Sequence, residues 1–326
     1  MVVPPRKPSL RARMIYGASR RIAPPMVRRM VIGNGRRPLP DRLSRTGRRV
    51  NSLARLQRRR PLRGVRVIRH SAEPLTETVR RADCTQPISD GVILYFHGGG
   101  FVTGGLDTHL GAVAALARRT RLPVVHVDYR QYPVGTVDVS VQDCCQAYRW
   151  LLEQGANPAK VVLAGDSAGG FLAFATALRV QQDGLPAPAG VVGISAVLEL
   201  DSTTRNTHAN VGRDAFGVPT ALAAIIEHVC PSAELVQSLA PINGRLETMP
   251  PSLLIAADSE ILCCDAERLR DALTAANRPC ELRTWPSQLH AFPAIFPFLP
   301  ESKEAFEAIT RFVQQRLAEA DQDLGS

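Results

Sequence analysis

Ser167 lies in Gly165-Asp166-Ser167-Ala168-Gly169-Gly170, just after the apolar run Val161–Ala164 and just before Gly169–Gln182, whose apolar spacing is helical. A serine between glycines at a strand-to-helix turn is a nucleophile elbow, the arrangement that presents a hydroxyl for acyl transfer. The turn is sharp enough that side chains flanking the serine would collide with neighbouring backbone, so Gly165 and Gly169 keep it open, with Asp166 completing the motif. The helix N-terminus beyond it favours developing negative charge. The competing reading is a phosphate-cradling loop. It fails on its own pattern, because G-x-G-x-x-G does not match and no Lys follows.

A second signal lies about 70 residues earlier, where the apolar run Val92–Phe96 ends in His97-Gly98-Gly99-Gly100-Phe101. Successive glycines let the main chain approach a substrate carbonyl and aim N–H groups at the oxygen that becomes negative. Gly98 and Gly99, with the N–H of Ala168, are the expected oxyanion donors. Gly100 supports the loop and His97 fixes it, without acting as a base.

A serine nucleophile needs an imidazole to take its proton and a carboxylate to orient that imidazole, here in the chain order Ser, acid, His. Late in the chain the candidates are His228, inside a polar interruption, and His290, in a loop between the last strand and the C-terminal helix. The placement selects His290. His70, His109, His126 and His208 read as surface or packing residues. Asp258, Glu260 and Asp265 follow the strand Ser252–Ala256. Asp265 stands at a helix start, where a carboxylate complements the dipole, which leaves Glu260 and Asp258 for the acid.

These residues need a scaffold, and the chain supplies strands and helices in alternation. Strand patterns fall at 65–70, 77–81, 92–96, 122–127, 161–164, 190–194, 252–256 and 281–285. Helical patterns fall at 110–118, 141–154, 169–182 and 303–320. Such alternation predicts an α/β class with a mostly parallel central sheet flanked by helices, opened by an antiparallel pair. Two segments stand outside it. Residues 1–60 read as short helical pieces broken by Pro-Pro, Gly-Asn-Gly and Pro-Leu-Pro-Asp, and residues 199–236 are polar first and then helical, as an insertion would be.

Charge is uneven along the 326 residues. Residues 1–70 carry 21 of the 40 Lys and Arg and one acid, Asp41, while the remainder carries 19 basic and 29 acidic side chains. Such an arm suits an anionic partner or a solvated, arginine-biased surface. Tyr16 is its one aromatic residue, too few for base stacking, so no nucleic acid is expected. An anionic membrane surface and a second copy of the chain remain open as partners. No run approaches the roughly 18 apolar residues of a membrane span. Arg20-Arg21 and Arg28-Arg29 lack the apolar segment of an export signal, which makes the cytoplasm the expected location. Seven cysteines, an odd number without C-x-x-C or H-E-x-x-H, predict neither a disulfide framework nor a metal.

His97-Gly98-Gly99-Gly100-Phe101, Asp128-Tyr129-Arg130 with Pro133, Gly165-Asp166-Ser167-Ala168-Gly169-Gly170, Asp258–Asp265 and His290-Ala291-Phe292 together resemble the hormone-sensitive-lipase-like carboxylesterases, family IV among bacterial esterases. The resemblance runs from about residue 65 to the C-terminus. It implies the α/β-hydrolase fold, short- to medium-chain acyl esters as small-molecule substrates, no cofactor, and a helical cap. Residues 1–60 would then form the first part of the cap and 199–236 its insertion, over a core of 61–198 and 237–326. Met14, Ile15, Met26, Val27, Met30, Val31 and Leu53 would line an acyl pocket. The family usually has Asp-Pro-Leu in the acid slot, with a Glu variant, and Glu260-Ile261-Leu262 fills it in register. One departure is Val134, where the family has Glu after the proline.

Overall fold

A computed structural model describes residues 7–31, 33, 38–57, 62–215 and 219–325, without the side chains of residues 30, 57 and 323–325. Eight strands, β1 (Val65–His70), β2 (Leu75–Arg81), β3 (Val92–Phe96), β4 (Val124–Asp128), β5 (Val161–Asp166), β6 (Gly190–Ile194), β7 (Ser252–Ala257) and β8 (Cys280–Trp285), form one sheet. Their order is β1-β2-β4-β3-β5-β6-β7-β8. β2 is antiparallel to β1 and β4, and every pair from β4 through β8 is parallel.

The helices are α1 (Leu10–Val31), α2 (Leu39–Gln57), α3 (Leu106–Thr120), α4 (Val137–Glu153), α5 (Ala168–Gln182) and α6 (Thr203–Thr207). They continue with α7 (Pro219–Val229), α8 (Ala233–Leu239), α9 (Cys263–Ala275), α10 (Phe292–Ile295) and α11 (Pro300–Gly325). Side chains on a strand point alternately to opposite faces, and β3 is apolar at every position because both faces are covered. Val92, Leu94 and Phe96 enter the core layer under α4, α5 and α9, whereas Ile93 and Tyr95 enter the layer under α3 and α11. Each such aliphatic side chain contributes about 1.5–3 kcal/mol on burial, so a one-residue slip in register would be strongly opposed.

Several elements depart from the sequence pattern. β5 continues past Ala164, because Gly165 and Asp166 pair with Gly193 and Ile194 of β6. α3 begins at Leu106 instead of 110, its first turn closed by the Gly105 N–H donating to Thr108 Oγ1 at 3.0 Å. α11 begins at Pro300, a residue suited to the first helical position. The N-terminal segment is the clearest correction. The Pro24-Pro25 pair does not break α1, a single helix of 22 residues. Prolines at 24 and 25 remove the hydrogen bonds to the carbonyls of Arg20 and Arg21. Both of those residues are exposed, on the side of the helix open to solvent.

α1 packs against α2 and α7, and Val31 and Ala221 form a small buried cluster with Val27, Leu39, Ala224 and Ile225 beside them. Tyr16 Oη donates to the Arg213 carbonyl at 2.7 Å, and Arg20 to that of Gly212 at 3.1 Å. The two segments outside the alternation therefore touch each other. A buried ion pair ties the second to the sheet domain. Arg205 of α6 donates from Nε to Asp265 Oδ1 at 2.8 Å, and both residues are almost wholly enclosed. Asp265 Oδ2 also accepts the Leu198 N–H at 2.9 Å. Asp265 is thus an anchor for the inserted segment and does more than complement a helix start.

Candidate active site

The parallel sheet delivers three strand ends to one edge, and each expected side chain follows one of them. Ser167 follows β5 with φ 53° and ψ −119°, unusual for a residue with a side chain. Its N–H donates to the Ile194 carbonyl at 2.8 Å, and its own carbonyl accepts from Val197 at 3.1 Å. These bonds hold the strained turn in place. The flanking glycines are obligatory by contact. A Cβ on Gly169 would lie 2.0 Å from the Phe96 carbonyl oxygen, and one on Gly165 would lie 2.2 Å from that of Gly169.

His290, after β8, places Nε2 2.9 Å from Ser167 Oγ and Nδ1 2.7 Å from Glu260 Oε2. Glu260 lies in the turn after β7 and is 1% exposed. Its other oxygen, Oε1, accepts from Ser195 Oγ at 2.7 Å and from the Ala257 N–H at 2.8 Å. Ser195 Oγ in turn accepts the Ala291 N–H at 2.9 Å, which links the acid turn to the histidine loop. Asp258, the other carboxylate candidate, bonds to Ser259 and the Ser287 backbone, and burial pushes its carboxyl above the usual range against the pull of Arg213. Glu260, not Asp258, meets the imidazole.

Burial by itself would lower the His290 pKa. The hydrogen bond and charge of Glu260, joined by the charges of Asp214 and Asp166, outweigh burial and raise it above the ordinary value of 6.5.

The glycine loop requires one correction. Gly98, expected as an oxyanion donor, directs its N–H to Asp166 Oδ1 at 3.1 Å. Asp166 is buried and also accepts from Tyr95 Oη at 2.6 Å and faces His109 Nε2 at 3.3 Å. Desolvation would raise its pKa, but His109, Tyr95 and His97 together bring it below the ordinary value, so it is a carboxylate that holds the loop. A Gly98 N–H bound to it is not aimed at a substrate. Among the described residues the N–H groups of Gly99 and Gly100 have no acceptor. Gly99 has φ +127°, and a Cβ there would lie 1.9 Å from the Thr103 carbonyl. Gly99 and Gly100 are thus the two glycines of this loop whose N–H groups are left free by the fold.

His97 lies buried at the start of this loop. Its Nδ1 lies 2.8 Å from the Gly98 carbonyl and its ring stacks on Tyr129 at 4.4 Å. Burial, with the charge of His109, pushes its pKa down to about 3. His109, read as packing, contacts the motif aspartate instead. Val134 is 78% exposed. Its loop is held by Arg130, which donates from its backbone and guanidinium to the buried Asp143 at 2.8 and 2.6 Å.

Four residues that sequence reasoning passed over brace these loops. Ser195 is one. Asn210 of the inserted segment donates from Nδ2 to the carbonyls of Asp258 and Glu260, both at 2.9 Å, and Asp214 Oδ2 accepts the Ile261 N–H at 2.8 Å. On the other side Asn51 of α2 donates to the Gly104 carbonyl at 3.0 Å and accepts the Gly104 N–H at 3.1 Å. A polar Ser195 at the end of the apolar strand β6 was a usable signal. The two asparagines gave none.

A sequence profile of the alpha/beta hydrolase fold matches residues 93–294, which carry all of these side chains except Asn51. This chain belongs to the α/β-hydrolase fold family, in its hormone-sensitive-lipase-like branch. Among α/β hydrolases it is 36% identical over 236 residues to the carboxylesterase/phospholipase LipF of Mycobacterium tuberculosis, a stretch covering 70% of this chain and 63% of that protein. It is 35% identical over 230 residues to the esterase LipU of the same organism, covering 68% of this chain and 77% of the relative. The structure of EstE5 soaked with ethyl alcohol superimposes with a TM-score of 0.83 at 26% identity, covering 95% of this chain and 99% of EstE5. An esterase from the bacterial hormone-sensitive lipase family superimposes with a TM-score of 0.78 at 25% identity, covering 96% and 100%.

Proposed function

We propose that this chain is a serine carboxylesterase that hydrolyses short- to medium-chain acyl esters through Ser167, His290 and Glu260. The observation that carries the reading is the unbroken relay from Ser167 Oγ to His290 Nε2 at 2.9 Å and from His290 Nδ1 to Glu260 at 2.7 Å. Glu260, held by Ser195 and Ala257, accepts a hydrogen bond from the His290 Nδ1–H, so Nε2 carries the lone pair toward the serine. His290 takes the Ser167 proton as Oγ attacks the ester carbonyl. The N–H groups of Gly99, Gly100 and Ala168 stabilise the oxyanion. The imidazolium returns its proton to the departing alcohol, and water repeats the attack on the acyl-enzyme.

The cap in this reading is residues 1–60 with 199–236, over a core of 61–198 and 237–326. Amides, lactones and thioesters present the same carbonyl to such a site. The esterase names carried by LipU and by the hormone-sensitive lipase family structure favour esters. A non-catalytic receptor on this fold has no need of a histidine within bonding distance of the serine.

The test is covalent. A phosphonate probe is expected to label the peptide bearing Ser167, and Ser167→Ala is expected to lose nitrophenyl-ester hydrolysis by about three orders of magnitude or more with its fold intact. A label on any other residue refutes the assignment.

A further inference from the structure

α1 has apolar side chains on two faces, and the core uses only one of them. Ala12, Ala23 and Val31 are buried. Leu10, Met14, Ala18, Ile22 and Met26 follow one another at four-residue spacing and so form one ridge along the helix. That ridge faces solvent, with Leu10 70%, Met14 66%, Ile22 65% and Met26 58% exposed. α2 repeats the pattern. Leu43 and Ala54 pack inward while Leu53 and Leu56 are 63% and 56% exposed. Arg45, Arg48, Arg49, Ser52 and Leu53 line one shallow depression on it. The two helices together hold eleven arginines and a single acid, Asp41. Met14, Met26 and Leu53, which the sequence suggested would line an acyl pocket, belong to this outer surface, while the Met30 side chain lies outside the described residues.

We propose that the outer face of α1 and α2 docks on the surface of an anionic phospholipid bilayer. The two chemistries of the face must be satisfied by one occupant. A second copy of the chain related by a two-fold axis would press this arginine-rich surface against itself. A nucleic acid would neutralise the arginines but leave the aliphatic ridge in water, and the one aromatic ring of these helices, Tyr16, has its hydroxyl bound to Arg213. A bilayer interface meets both demands, with anionic headgroups for the guanidinium groups and the acyl boundary for Leu, Ile and Met. No helix among the described residues is long and apolar enough to cross a membrane, so the helices lie along the surface. The docking does not depend on the hydrolytic reading.

The experiment is co-sedimentation of the full chain with phosphatidylcholine vesicles, with and without phosphatidylglycerol, at low salt. Binding is expected only to the vesicles containing phosphatidylglycerol, falling as salt is raised. Ile22→Asp combined with Met26→Asp is expected to weaken it about tenfold or more, and Arg48→Glu with Arg49→Glu likewise. Both variants should hydrolyse soluble nitrophenyl acetate at the parental rate, which shows that the fold and the site survive. Absence of binding, equal binding to both vesicle types, or unchanged binding by either double variant overturns the proposal. So does a dimer that the same substitutions dissolve, or retention on duplex DNA in preference to the vesicles.

Discussion

Replacing Glu260 by Gln tests the site most sharply, because its surroundings dictate how the new amide must sit. Glu260 Oε1 receives two donors, Ser195 Oγ and the Ala257 N–H, while Oε2 receives one, His290 Nδ1. The Gln oxygen can face only one side. Facing Ser195 and Ala257, it turns its NH2 toward His290, which must then carry its proton on Nε2 and cannot accept the one on Ser167. The opposite orientation sets NH2 against the buried Ala257 N–H at a cost of about 1–3 kcal/mol. Either way the imidazolium also exchanges its acid partner for an amide, a loss of about 1.5–3 kcal/mol for a charge-assisted bond. Together these come to about 2.5–6 kcal/mol, or roughly two to four orders of magnitude in kcat. Asp258→Asn, which touches neither His290 nor Ser167, should lose less than about tenfold. Steady-state hydrolysis of a nitrophenyl ester, with circular dichroism to confirm folding, measures both. A Glu260→Gln enzyme within tenfold of the parent, or an Asp258→Asn enzyme that is the worse of the two, would refute the relay.

Three further outcomes are expected. His290 must be neutral to take the serine proton and its pKa is raised, so kcat/KM should fall as pH drops through a value above 6.5. His97, held near 3, contributes nothing in that window, and an inflection below 6.5 contradicts the assignment. The same shift contributes stability present below the ordinary histidine value and lost as pH rises through the folded one. Arg205→Met leaves Asp265 buried and unpaired and should cost about 3–5 kcal/mol in urea unfolding. Adding Asp265→Leu should recover only part, since the Leu198 N–H then lacks its acceptor. Asn210→Ala frees the carbonyls of Asp258 and Glu260, and kcat should fall about ten- to a hundredfold with KM little changed. An equal rise in KM would mean that Asn210 serves substrate binding instead.

Much of this site was legible because its determinants are local. An apolar run ending in Gly-x-Ser-x-Gly dictates a buried strand and a tight turn whatever surrounds it, and β6 matches its sequence pattern at both ends. For the acid the residues left Glu260 and Asp258 both open, and the resemblance to the family's acid slot is what favoured Glu260, three residues beyond the end of β7. Gly98 shows where such inference stops. Residue type says that the backbone can approach a ligand, but the direction of its N–H depends on Asp166, 68 residues away. Ser195 and Asn210 were hidden for the same reason, being meaningful only through bonds to a turn 65 and 50 positions later. The proline pair misled in the opposite direction. Its penalty is local, but exposure of the freed carbonyls cancels much of it, and exposure is a tertiary property.

The segments outside the α/β alternation do something that the sheet cannot. Glu260 and the glycine loop both stand on turns beyond strand ends, where the sheet's hydrogen bonds have stopped. Each turn is held from outside the core, Glu260 by Asn210 and Asp214 of the insertion and Gly104 by Asn51 of α2. The insertion is itself held, by Arg205 on Asp265 within α9, the helix that begins three residues after Glu260. Bracing therefore runs in a closed circuit from helix to insertion to acid turn and back to the helix. A helix surface that also meets a bilayer would lie one residue contact from the oxyanion loop, through Asn51. In this arrangement the segments outside the α/β alternation set the precision of the chemistry, and the core supplies its residues.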